Sequence, residues 1–229
     1  MNENENSSMP GLEKLAANVR DNPENAEARF ELGVFFGKLG KFDEAIGEFQ
    51  EAVRIDPKND AARYNMGAFY FKQGKFPEAK QMYSEVLEVN PDYIAAHYGL
   101  GVVHNQLEEY EEAIERYHKV ADSKPDFAEV RYRLGIVYFI VERYEESIEA
   151  LKETIRITPE HSEAHFNLSV AYDQAGDGKN SIIHMTVSEL IFGQKGDVDR
   201  QNQCKEQLTQ LYPKYNFTPE DFFLPPLSE

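Results

Sequence analysis

Five prolines recur at one fixed interval in this 229-residue chain, at Pro23, Pro57, Pro91, Pro125 and Pro159. Each lies 34 residues after the one before it, with no variation in the spacing. A constant period of roughly 20–50 residues is typical of a chain in which one supersecondary unit is copied and stacked. Such a stack presents an extended surface rather than a deep pocket. The repeat therefore favours binding over catalysis as the function.

The period divides most of the chain into five units, and each unit contains two helical patterns. The first half carries a large apolar residue, a small one and then a ring three positions later, as in Leu32, Gly33 and Phe36. The second half carries a small residue and a large one four positions on, as in Ala45 and Phe49. Spacings of three, four and seven belong to amphipathic helices. The sequence predicts two helices in each of the units 26–59, 60–93, 94–127, 128–161 and 162–195.

Helix ends are also marked in the repeat. Gly40 and Gly74 lie in the turns between the two helices, where a glycine suits the left-handed conformation that ends a helix. The residue before a proline avoids the α-helical region of the backbone. The period-marking prolines are therefore expected to end each second helix.

The pattern resembles the tetratricopeptide repeat family, which carries Leu-Gly, Tyr, Ala, Phe or Tyr and Pro at these spacings. Four units match strongly, and the fifth departs from the pattern at Ser169, Ser181 and Gly193. The first-helix Trp of the family is absent from every unit. The resemblance implies an all-α fold, a right-handed α-solenoid of five tandem helix pairs with a capping helix at each end.

Short segments flank the array. Residues 1–8 are polar and acidic, and we expect them to be disordered. Residues 9–22 are predicted to form an N-terminal cap helix, because Leu12, Leu15 and Val19 repeat at helical spacing. One period back from the first unit, this segment aligns with a second helix whose first helix is missing. A C-terminal cap helix is expected over 197–212, ended by Pro213.

The tail 213–229 is rich in aromatic residues and proline. Two interpretations stay open. Its apolar side chains could fold back and complete the C-terminal cap, or they could form an exposed hook that docks into the protein's own groove, a neighbour's groove or another protein. The candidate hook residues are Phe217, Phe222, Phe223, Leu224 and Leu227.

A binding groove is implied by the resemblance, since positions two, five, nine and twelve of each unit line the concave face in this family. Position five is a ring and position nine is aliphatic in all five units. Positions five and nine share one helix face, so together they predict a continuous apolar strip. Alternatively, the rings are core residues buried by the neighbouring unit. The candidate residues, called the groove set below, are Phe30, Val34, Tyr64, Asn65, Ala68, Phe71, Tyr98, Val102, Asn105, Tyr132, Arg133, Ile136, Phe139, Phe166, Asn167 and Val170.

One known use of such a groove is the clamp that binds the acidic C-terminal tails of chaperones. This clamp needs Lys, Asn and Arg at set positions. Of the required residues only Asn65 is present. Glu27, Glu129 and Glu163 lie near the expected groove and would repel an anionic tail. Because charge-assisted pairing needs cations, the sequence argues against clamp-type docking.

Charge and composition narrow the partners further. The chain has 41 acidic and 24 basic residues and a formal charge of −17, which opposes binding to nucleic acid and to anionic membrane surfaces. The longest apolar run, 136–141, is too short for membrane insertion. The N-terminus lacks the basic and apolar regions of a signal peptide, and the single cysteine fits a reducing compartment. We therefore expect a cytoplasmic protein.

No catalytic, cofactor-binding or metal-binding residue is expected. His161 and His165 are four apart, but no third ligand is evident near them. Cys204 lacks an activating motif, and the paired glutamates are read as solvated surface.

The functional prediction is a non-enzymatic adaptor or assembly chaperone that binds an apolar or basic-amphipathic protein segment in its groove. The alternative is a self-assembling structural protein, a homo-oligomer in which the tail of one copy fills a groove.

Overall fold

The computed structural model describes residues 3–222, with side chains from residue 11 onward. The described residues form twelve α-helices and one short 3₁₀ helix, with no strand among them. This confirms the prediction of an all-α solenoid of helix pairs. The chain divides into two compact units, Met1–Arg116 and Tyr117–Glu229.

The helices follow one another with short turns. The first seven are α1 (Glu3–Asp21), α2 (Ala26–Lys38), α3 (Phe42–Ile55), α4 (Asp60–Lys72), α5 (Phe76–Val89), α6 (Ile94–Gln106) and α7 (Tyr110–Ser123). The others are α8 (Ala128–Ile140), α9 (Tyr144–Ile157), α10 (Ser162–Gln174), α11 (Gly178–Gln194), α12 (Val198–Lys214) and the 3₁₀ helix Pro219–Phe222. Helices α2, α4, α6, α8 and α10 begin at the first residues of the five units. Since turns this short join antiparallel neighbours, each unit is a helix hairpin.

Left-handed residues end the first helices, as predicted for Gly40 and Gly74, whose φ angles are 74° and 73°. Gly176 adopts the same conformation with φ 80°. The equivalent residues of the third and fourth units are glutamates, Glu108 with φ 61° and Glu142 with φ 60°. A residue with a Cβ is strained there, so these two turns store conformational energy that glycine would release.

We expect Glu142→Gly to raise the free energy of unfolding by about 0.5–1 kcal/mol, because relief of the left-handed strain exceeds the added entropy of the unfolded chain. Urea unfolding followed by circular dichroism measures this. Gly176→Ala is the matched control and should lower the free energy of unfolding by a similar amount. No change in either variant would contradict the argument.

Close approach of the paired helices depends on glycine in the first helix and a large residue in the second. A Cβ on Gly33 would lie 2.7 Å from Cε1 of Phe49, and one on Gly67 would lie 2.8 Å from Cε1 of Tyr83. Phe49 is fully buried and Tyr83 is 5% exposed. The small-large pattern of the sequence is therefore the contact between the two helices of one unit.

The N-terminal helix starts earlier than expected. Helix α1 begins at Glu3, so residues 3–8, for which we expected disorder, are helical. Adding residues to an existing helix costs little once a packed segment has nucleated it. The packed segment is present here, because Leu12 and Leu15 contact the buried cluster of Val19, Ala28 and Leu32.

The last helix ends later than expected. Helix α12 continues through Pro213 to Lys214. The chain reverses after the helix at Asn216, which has φ 56°, and the Phe217 amide donates a hydrogen bond to the Tyr212 carbonyl at 2.9 Å. A proline in the final turn removes one amide hydrogen bond, whereas the left-handed residue is what reverses the chain.

Candidate functional site

The groove set shares one property, since all sixteen residues are half-buried. In the unit 1–116, the Tyr64 ring lies 5.6 Å from Tyr83 and 5.5 Å from Tyr93, measured between ring centroids. Phe30 packs in the same way at 5.5 Å from Phe49. Tyr64 and Phe30 therefore pack against neighbouring rings and remain partly exposed.

The same arrangement occurs in the unit 117–229. The Tyr132 ring lies 4.8 Å from the His161 ring, and its hydroxyl accepts a hydrogen bond of 2.9 Å from the Asn167 side-chain amide. Phe166 and Val170 pack against the buried cluster of α11 and α12. The hydrogen bond between Tyr132 and Asn167 joins groove positions of two successive repeats, so it also helps to hold these two repeats together.

Burial changes the acid–base behaviour of these tyrosines. Burial raises the pKa of the Tyr64 hydroxyl above its ordinary value, and the nearby Tyr93 and Tyr98 add to the effect. Burial also raises the pKa of Tyr132, with a further contribution from Glu163, while the hydrogen bond from Asn167 opposes it. Both hydroxyls are therefore neutral at physiological pH and can exchange hydrogen bonds with a ligand.

The polar members of the groove set differ in whether their side-chain atoms have a hydrogen-bond or ion-pair partner. Asn65 donates to the Ala61 carbonyl at 2.7 Å, and Arg133 forms an ion pair with Glu129 at 2.7 Å. The side-chain oxygen of Asn105 is buried and has no hydrogen-bond partner among the described residues. A buried acceptor in this state is costly unless a donor reaches it.

Two of the candidate hook residues lie in the C-terminal cap. Phe217 and Phe222 pack against the cluster of α11 and α12, and their ring centroids are 5.1 Å apart. Phe222 also lies 6.0 Å from Tyr212. Neither is a free hook, because rings that contact the last helix shield its apolar side from water. The other three, Phe223, Leu224 and Leu227, lie outside the described residues.

A histidine pair forms at a place that the sequence analysis did not identify. The Nδ1 atoms of His165 and His184 are 3.0 Å apart, and Nε2 of His165 is 3.1 Å from the Pro159 carbonyl oxygen. Since a carbonyl only accepts, His165 carries its proton on Nε2, and Nδ1 of His184 donates to Nδ1 of His165. His161 caps α10 instead, where its Nδ1 accepts from the Ala164 amide at 3.2 Å.

Glu109, one of the paired glutamates expected on the solvated surface, takes part in a charged network. Glu109 accepts hydrogen bonds from Lys80 at 2.6 Å and from Nδ1 of His104 at 2.5 Å. The bond from Lys80 and then that from His104 lower the pKa of the Glu109 carboxyl. Only the fold brings Lys80 to a residue 29 positions away, so sequence spacing carried no signal for this contact.

The described residues give little indication of a reactive thiol or of a metal-binding site. Cys204 is fully buried, and burial raises the pKa of its thiol, which keeps it protonated. Among residues 11–222, no group of three or more His, Cys, Asp or Glu side chains is placed to hold a metal ion. Nor does the described chain contain a helix with the length and apolar character needed to cross a membrane.

Comparison with known proteins places the chain among solved helical repeats. A model described as tetratricopeptide repeat matches residues 37–101, another so described matches 11–60 and 132–184, and a TPR repeat model matches 103–141. A search of curated protein sequences found no match.

Three solved structures illustrate the similarity of fold. YrrB, described as a TPR protein with an unusual peptide-binding site, superposes with a TM-score of 0.75 at 18% identity, over 85% of this chain and 99% of YrrB. MamA gives 0.71 at 22% identity, over 75% and 94% of the two chains. MamA from Desulfovibrio magneticus RS-1 gives 0.69 at 24% identity, over 72% and 94%. The chain is a member of the tetratricopeptide repeat family.

Proposed function

We propose that this protein is a non-enzymatic adaptor that binds an apolar or basic-amphipathic segment of a partner protein along the groove set. Membership of the tetratricopeptide family supports a protein-interaction scaffold, since such stacks offer extended binding surfaces. The observation that carries the more specific proposal is the half-burial of every position-five ring. A ring fixed on one side by the core offers its other face without a large loss of side-chain entropy on binding.

The chemistry of the segment follows from the same surface. Within each of the two compact units, the aliphatic residues at position nine extend the ring faces into an apolar strip, which suits apolar side chains spaced along a helix or an extended peptide. Glu27 and Glu163 occupy position two of their units, which the family resemblance places beside the strip, and the chain as a whole carries a formal charge of −17. A segment with basic flanks is therefore attracted, and an acidic one is repelled.

Two sets of synthetic 15-residue peptides test the proposal. Both carry apolar residues at helical spacing, with lysine on the flanks in one set and glutamate in the other. We expect the full chain to select the lysine set, with binding measured by fluorescence anisotropy. The double variant Tyr98→Ala with Tyr132→Ala should lose this binding while its helicity, measured by circular dichroism, is retained. Loss of helicity would show that these rings serve only the core.

Self-assembly through the tail is the second candidate, and it now depends on residues 223–229. Phe217 and Phe222 are committed to the cap, so a version of the chain that ends at Phe222 keeps the cap and removes the rest. Light scattering after size exclusion compares it with the full chain. A shift from oligomer to monomer on truncation would support tail-driven assembly, and a monomer in both cases would reject it.

A further inference from the structure

A cavity of about 350 Å³ opens beside α9 in the unit 117–229 and is called the α9 cavity below. Its lining comes from α7, α8 and α9. Leu134 and Tyr138 of α8 form its floor, with 1% and 6% of their surfaces exposed. No lining residue belongs to the groove set, so the cavity is separate from the proposed binding groove.

The repeat provides an internal comparison for the α9 cavity. Ala150 lines the cavity and is residue 23 of the fourth unit. The equivalent residues of the other four units are all larger: Glu48, Met82, Arg116 and His184. In the first unit, the Glu48 carboxylate lies 2.9 Å from the guanidinium of Arg29, which is residue four of that unit. The short side chain of Ala150 leaves the corresponding space beside Arg131 open.

Carboxylates dominate the charged groups of the α9 cavity. Four lining residues are glutamates, and three of them follow one another at intervals of four residues along α9: Glu145, Glu149 and Glu153. Like charges four residues apart on a helix repel each other. At a rise of 1.5 Å per residue, the row is about 12 Å long. A row of this length can pair with several cations of one peptide segment.

Two basic side chains also line the cavity, and both are engaged with the protein itself. Nη2 of Arg131 donates to the Ala121 carbonyl of α7 at 3.4 Å, and its Nε is buried. Nε2 of His118 lies 2.7 Å from the Tyr138 hydroxyl oxygen. Four carboxylates therefore face one guanidinium and one histidine, and this balance favours a cation over an anion as the occupant.

The glutamates of the cavity are available to a cationic ligand. Three of them pair with a basic residue three positions away on the surface of the protein, in the pairs Arg143–Glu146, Lys152–Glu149 and Arg156–Glu153. Both side chains of each pair are more than a third exposed. Exposed pairs contribute little to stability, so their exchange for pairs with a ligand costs little. Glu145 is exposed and forms no ion pair with the side chains of residues 11–222.

We propose that the α9 cavity binds an arginine side chain of a basic segment of a partner protein. The guanidinium faces Glu145 and Glu149, and the aliphatic part of the arginine lies against Ala150 and the cavity floor. Further basic residues of the segment pair with the glutamate row. Arginine suits this site because its planar head carries five donors that can serve two carboxylates at once. The incoming side chain takes the space that Glu48 occupies in the first unit.

Two seven-residue peptides test the proposal on the full chain. Both carry lysine at each end, and the central residue is arginine in one and citrulline, its uncharged analogue, in the other. Binding is followed by NMR through the methyl signals of Leu134. We expect saturable shifts with the arginine peptide and a dissociation constant at least about fivefold higher with the citrulline peptide, because a charge-assisted hydrogen bond is lost. No shift with the arginine peptide, or equal binding of the two peptides, would overturn the proposal.

A cavity-filling variant locates the binding. Ala150→Met introduces the residue that the second unit carries at this position, Met82, so the fold should be retained, as judged by circular dichroism. The variant should weaken binding of the arginine peptide at least about tenfold, because the space for the arginine is filled. Unchanged binding by this variant would reject the cavity as the site.

Charge reversals and a groove variant complete the test. Glu145→Lys should weaken binding roughly two- to fivefold, whereas the same reversal at the exposed Glu206 of α12 should not. Equal effects of the two reversals would show only a general attraction between charges, and the proposal would fall. Tyr98→Ala with Tyr132→Ala should leave this binding intact, so failure of the groove and failure of the α9 cavity are distinguishable.

Discussion

Phe49→Ala is expected to lower the free energy of unfolding by about 3–5 kcal/mol, the range for removing a large aromatic side chain from a packed core. Phe49 is fully buried, and its ring lies 5.5 Å from Phe30 and 5.9 Å from Phe69. The backbone of Gly33 lies against the same ring, and glycine has no side chain that could move into the space left by the substitution. The cavity would therefore persist, and its cost would add to the lost burial.

Phe30→Ala is the matched comparison, because Phe30 is also a phenylalanine and contacts the same ring. It is only half-buried, so its removal should cost less than half as much. Urea unfolding followed by circular dichroism measures both variants. Equal losses would mean that the groove rings are ordinary core residues, and the proposed binding surface would lose its main support.

Stability should fall by about 3 kcal/mol as the pH drops from 7 to 4, through His184 alone. Burial, followed by the proximity of His165 and Lys152, lowers the pKa of His184 from 6.5 to about 4. Burial also lowers the pKa of His165, and His161 adds to this, while the Pro159 carbonyl opposes it. In the unfolded chain His184 takes up a proton near pH 6.5, but in the folded protein it resists this until about pH 4.

The sign follows from proton linkage. The unfolded state binds more protons between pH 6.5 and 4, so the free energy of unfolding decreases as the pH falls through this window and stops decreasing below it. His184→Gln keeps a donor for Nδ1 of His165 and removes the titrating group. Urea midpoints measured at half-unit pH steps should therefore be flatter for this variant than for the native protein between pH 6.5 and 4.5. Parallel curves would show that the pair does not titrate in this way.

Much of the fold could be predicted because the repeat pattern reflects contacts between residues that are close in sequence. The small-large pairs, such as Gly33 with Phe49, encode contacts between helices that are adjacent in sequence. The glycine and proline positions encode the turns that join them. A pattern repeated five times at a constant spacing leaves few alternative pairings, and this is why period and pattern together specify the helix hairpin.

Only the tertiary structure showed which partners the polar residues and the C-terminal residues contact. Lys80 reaches Glu109, and His165 reaches His184, across 29 and 19 positions through packing that no spacing rule describes. Phe222 packs on α12 because the left-handed Asn216 turns the chain back, which the composition of the tail did not reveal.

The sequence by itself determined the repeat and its all-α fold of helix pairs, because these depend on backbone preferences and on contacts between adjacent helices. It also placed α1 in the register of a second helix. Only the tertiary structure showed that every groove ring remains partly exposed, and that a cavity lies beside α9. Accessible surface depends on what packs nearby in three dimensions, and neither period nor composition specifies that.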